Sequence, residues 1–77
     1  MTFSEYAGKQ LKKYRINTLK EKNIKKIIGI FSIAQNTYYR QEQAITDWEF
    51  LFRFLSHYKI DLNEFFEISK YFQQDIK

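Results

Sequence analysis

Residues 23–43 read NIKKIIGIFSIAQNTYYRQEQ, and the period of their apolar positions decides the fold. Ile24, Ile27, Ile28 and Phe31 recur at the i, i+3, i+4, i+7 spacing of one helix face, which turns Lys25 and Lys26 outward. Asn23 stands where an N-cap is expected. Ser32 interrupts the stripe, and Ser32-x-x-Gln35 has the spacing of a capping box. A second, mostly polar helix is therefore predicted over 34–43. With Tyr38 turned inward, Gln35, Asn36, Tyr39 and Arg40 fall largely on its outer side.

The same period extends in both directions. Thr46-Asp-Trp-Glu49 is a clearer capping box and opens a helix over 47–59, in which Trp48, Leu51, Phe52, Leu55 and Tyr58 share a face. Asp61-Leu-Asn-Glu64 repeats the device and opens a last helix, 62–75, with Leu62, Phe65, Phe66, Ser69, Phe72 and Ile76 on one side. Upstream, Thr2 or Ser4 starts a long helix, 3–22, through Ala7, Leu11, Tyr14 and Thr18. With the helix over 24–31 this predicts an all-α fold, a compact five-helix bundle forming one domain over 1–77. The chain has 2 Gly and no Pro, so strand-turn signals are few.

Size and composition limit what such a bundle does. At 77 residues there is one modest core and no room for a separate catalytic domain. The absence of Cys removes disulfides, thiolate zinc sites and thiol nucleophiles, and the lone His57 removes two-His metal sites. No metal, no cofactor and no enzymatic activity are expected, because capping already accounts for Glu49 and Glu64. Eight Phe, six Tyr and one Trp are expected to hold the core together instead. No run approaches a membrane span, and the charged first 15 residues do not resemble a secretory signal, so a cytoplasmic location is expected.

The net charge of +4 is unevenly spread. Residues 1–43 carry nine cationic against three anionic side chains, a net +6, and residues 44–77 carry four against six, a net −2. A basic half is the footprint of phosphate contact, although solvated lysines give the same balance. The layout adds to it. Two short helices across a brief turn, the second polar and rich in amides, form a helix-turn-helix, in which the second helix must keep one face free to reach base edges in the major groove. Gln35 and Asn36 suit adenine, Arg40 suits guanine or a phosphate, and Thr37 and Tyr39 suit a phosphate or a thymine methyl. Asn23, Lys25, Lys26 and Gln43 are the candidate phosphate contacts. Lys12, Lys13 and Arg15 are expected on the outer surface of the first helix.

The stretch Leu51-FRFLSHYKIDLNEF-Phe66 resembles, without a gap, the segment after the helix-turn-helix in the XRE/Cro class, nearest to the N-terminal domains of Rgg/MutR-type regulators. Gly8-KQLKKY-Arg15 is similar to that family's opening helix, and Gln35-NTYYRQ-Glu42 to its recognition helix. Where the family usually has Gly in the turn and Ser or Thr as the next cap, this chain has Ser32 and Ala34. It has Gln41 where an apolar residue is usual, and about three extra residues after Arg15.

The resemblance implies a transcriptional regulator that binds double-stranded operator DNA as a homodimer. In Rgg-like proteins it also implies a C-terminal peptide-sensing domain, which has no counterpart in these residues. The aromatic surplus of the last helix, Phe65, Phe66, Tyr71 and Phe72, is the expected dimer interface. The alternative is a small helical interaction module, an antirepressor or inhibitor, that docks a protein through that helix.

Overall fold

The structure, a computed structural model, describes residues 1–66. Five α-helices and no strand occur among the described residues: α1 (Phe3–Lys13), α2 (Lys25–Phe31), α3 (Gln35–Gln43), α4 (Trp48–His57) and α5 (Leu62–Phe66). The fold class is all-α, as the period predicts. The expected continuation of the last helix to residue 75 lies outside the described residues.

Helix α1 starts on a complete capping box, in which Thr2 Oγ1 accepts from the Glu5 amide at 3.2 Å and Glu5 Oε1 accepts from the Thr2 amide at 2.8 Å. It does not run to residue 22. After Lys13 the chain widens into a π-helical turn, Tyr14–Thr18, and leaves the helix at Lys20, whose φ is 59°. The Leu19 amide donates to the Tyr14 carbonyl and the Glu21 amide to the Arg15 carbonyl, each at 2.9 Å. The early exit has a physical cause: Arg15 points inward, and the segment after Lys20 folds back to bond its guanidinium.

Asn23 is not the N-cap of α2: Ile24 holds that place without a side-chain bond, and Asn23, one residue earlier, accepts from the Lys25 amide through its Oδ1 at 2.9 Å. It buries Ile24, Ile27 and Phe31. Three residues, 32–34, separate it from α3. Ser32 is not the N-cap of α3; it ends α2 in the left-handed region, with φ 52° and ψ 45°. Ala34 occupies the N-cap of α3 without a side-chain bond.

The box expected at Thr46 shifts by one residue, because Asp47 caps α4 by accepting from the Phe50 amide at 3.0 Å. Thr46 is already engaged: its hydroxyl accepts from Gln41 Nε2 at 2.9 Å, and Gln41 Oε1 accepts from the Thr46 and Asp47 amides at 2.8 and 2.9 Å. Gln41, 2% exposed, is thus buried with its amide satisfied by the α3–α4 turn. Asp61 caps α5 through the Glu64 amide at 3.3 Å.

The core gathers Leu11, Ile27, Tyr38, Leu51, Phe54 and Phe65 from all five helices. Aromatic edges pack it: Phe50 meets Phe31 at 5.5 Å and Tyr38 at 5.9 Å, both nearly perpendicular. Helices α1 and α3 cross closely at Gly8. A Cβ there would sit 2.6 Å from the Gln41 carbonyl oxygen and 2.8 Å from that of Glu42.

Candidate nucleic-acid interface

The orientation of α3 follows from what it buries. Tyr38, Gln41 and Glu42 turn inward, and each is held there by polar bonds as well as by packing. With those three fixed, the period of the helix leaves Gln35, Asn36, Thr37, Tyr39, Arg40 and Gln43 exposed. The five candidate base-contacting residues therefore share one solvent-facing side of a single short helix. Tyr39 is 44% exposed, a large ring with no core role.

Beneath this face lies a buried charge network. Arg15, 5% exposed, forms a fork with Glu42: Nε donates to Oε2 at 2.5 Å and Nη2 to Oε1 at 3.1 Å. Its Nη1 donates to the Glu21 and Lys22 carbonyls, each at 2.9 Å. The Tyr38 hydroxyl donates to Glu42 Oε2 at 2.7 Å. The Glu42 bond raises the Arg15 pKa further despite burial, and burial with the same carboxylate holds the Tyr38 phenol far above its ordinary range. Arg15 and Tyr38 therefore both keep their protons at neutral pH. The expectation that Arg15 lies on the outer surface is corrected: its carboxylate partner, 27 residues away, draws it inside. Nothing in helical spacing pairs Arg15 with Glu42, because that rule reaches only neighbours within one helix.

The phosphate candidates stand beside the reading face. Asn23, Lys25 and Lys26 are exposed at the start of α2. A groove of about 360 Å³ between that start and α3 is lined by Lys22, Asn23, Ile24, Lys25, Gln35 and Tyr39. It brings Asn23 and Lys25 together with Gln35 and Tyr39. It does not include Lys26, whose Nζ lies 3.5 Å from Glu21 Oε1 in an exposed ion pair. Lys22, which the period did not single out, takes a place on the groove wall.

The expected dimer residues separate. Phe65 is fully buried, tilted against Tyr14 at 5.3 Å, so it belongs to the monomer's own core and is not available to a partner. Phe66 is half-buried and packs on Phe3 at 5.3 Å. Tyr71 and Phe72 lie outside the described residues. Phe52 and Leu62, each 48% exposed, are the large apolar side chains that α4 and α5 leave open.

Among the described residues no cluster of metal-ligating side chains occurs, and no helix is long and apolar enough to cross a membrane. No family model, curated protein or solved structure matches the chain.

Proposed function

We propose that the chain is a sequence-specific DNA-binding transcriptional regulator whose α2 and α3 act as a helix-turn-helix. The observation that carries the reading is the two-sidedness of α3. Its inner residues are locked by packing and buried hydrogen bonds, while Gln35, Asn36, Thr37, Tyr39 and Arg40 stand free on the other side. A groove-reading helix needs that division, because base edges are read by free donors and acceptors on a rigid support. The left-handed Ser32 supports it too: the turn adopts the backbone that Gly would supply in the resembled family. Asn23, Lys25 and Lys26 contact phosphates, Gln43 does so from the other end of α3, and two copies bind a two-fold site.

Selection of bound duplexes from a random library tests this. The expected outcome is a palindromic site bound by a dimer, with Arg40→Ala or Gln35→Ala relaxing preference at one base position by about 1–3 kcal/mol. Failure to retard any duplex at low salt refutes the reading. The exposed Phe52 and Leu62 favour a second reading, a module that docks a protein partner through α4 and α5. Capture of DNA and protein by separate faces distinguishes the two.

A further inference from the structure

We infer that the segment between α1 and α2, residues 19–24, is a second backbone-reading element, in which Lys22 contacts a DNA phosphate and Arg15 fixes its position. The inference rests on the DNA-binding reading above. The groove beside α3 presents two ammonium groups, Lys22 and Lys25, the Asn23 and Gln35 amides and the Tyr39 hydroxyl, over Ile24, and among the described residues its lining contains no carboxylate. The carboxylate nearest in sequence, Glu21, is directed to Lys26. A groove with two cations, further N–H and O–H donors and no anionic lining residue, beside exposed base-reading side chains, suits the phosphate flanking the base pairs those side chains meet.

What makes this more than a set of surface lysines is how the segment is held. Arg15 donates to the carbonyls of Glu21 and Lys22 and, through its other nitrogens, to Glu42 of α3. Tyr38 closes the chain of bonds on Glu42. The backbone of Lys22 is thereby tied to the reading helix through one buried guanidinium, and the segment is seated before DNA arrives. Ordering it then adds little to the cost of binding. Arg15 is a positioning residue: it is 5% exposed and acts through Lys22. Lysine cannot replace it, because an ammonium lacks the planar fork that reaches four acceptors at once.

The test is the salt dependence of binding to a mixed-sequence DNA duplex, measured by fluorescence anisotropy after each variant's thermal melt. Lys22→Ala is expected to lower the slope of log K against log salt by about 0.9, so that its deficit against wild type shrinks about 3.5-fold between about 50 and about 200 mM salt. Lys9→Ala, outside the groove, leaves the slope unchanged. Arg15→Lys is expected to reproduce the Lys22→Ala slope, and adding Lys22→Ala to it changes the slope no further. If Arg15→Lys does not fold, the pair exchange Arg15→Met with Glu42→Leu, which removes both buried charges together, takes its place. Wild-type binding with an unaltered slope in Lys22→Ala overturns the assignment of this segment alone. Additive slopes overturn the role of Arg15. No binding by wild type overturns the DNA reading, and this inference with it.

Discussion

Substituting alanine for the two glycines separates helix propensity from tertiary packing, because both sit inside helices and the structure gives them opposite surroundings. Gly8→Ala and Gly29→Ala make the same covalent change, and each gains about 0.8–1 kcal/mol from propensity. At Gly29, on the exposed side of α2, an added Cβ meets nothing within 4 Å among the described residues, so the gain is realised. At Gly8 the Cβ lands 2.6 and 2.8 Å from the carbonyl oxygens of Gln41 and Glu42 and 3.0 Å from the Glu42 carbonyl carbon. An ordinary carbon–oxygen contact is about 3.3 Å or more, so α1 and α3 must separate by several tenths of an ångström. The obstacle is backbone, which has no rotamer to change. Overpacking of this kind costs about 1–3 kcal/mol. The same shift loosens the Glu42–Arg15 fork and the Gln41 bonds, whose charged members are each worth about 1.5–3 kcal/mol. Set against the propensity gain, Gly8→Ala is expected to destabilise by about 2 kcal/mol or more. Urea unfolding followed by circular dichroism measures both variants. At about 4–8 °C per kcal/mol for a domain of this size, Tm falls by about 8–16 °C for Gly8→Ala and rises by about 4–8 °C for Gly29→Ala. Equal stabilisation by the two substitutions refutes the close crossing of α1 and α3.

Glu42→Gln leaves the Arg15 charge buried without its counter-charge and is expected to cost about 3–5 kcal/mol, while Arg15→Met with Glu42→Leu recovers most of that loss; a loss below about 1 kcal/mol for the single change contradicts the buried pair. Ser32→Gly relieves a left-handed non-glycine residue and is expected to raise stability by up to about 1 kcal/mol, read from the urea midpoint. The Tyr58 hydroxyl is buried and has no hydrogen-bond partner among the described residues, and desolvation raises its pKa. Tyr58→Phe is therefore expected to be neutral or stabilising, and a loss above about 1 kcal/mol means that the hydroxyl is bonded after all.

The helices were legible wherever a local rule governs them. The stripe of Ile24, Ile27 and Phe31, the inward Tyr38, and the caps at Thr2 and Asp61 all follow from spacing within one turn. The ends were not. Lys20, Ser32 and Lys59 follow the π-helical turn, α2 and α4 in the left-handed region, while both glycines lie inside helices, so the usual stop signal is missing from the places where the chain stops. Thr46 looked like a cap until Gln41, five residues earlier, claimed its hydroxyl and amide. The exposed face of α3 was readable from a single inward residue. Lys22 was not, because its place depends on how Arg15 folds the chain back on itself.

The sequence by itself determined that this chain is helical and which side of each helix is apolar, because those properties repeat every 3.6 residues and need no distant partner. Only the tertiary structure decided which polar residues go inside. Arg15, Gln41 and Glu42 have the side chains of surface residues, and burying any of them alone costs several kcal/mol. They are buried because each meets bonding partners in the folded chain, Arg15 and Glu42 across 27 residues and Gln41 at the α3–α4 turn. Gly8 is the complementary case: its place beside Ala7 and Leu11 puts it on the apolar side of its helix, but only the backbone of α3 lying against it leaves no room for a Cβ.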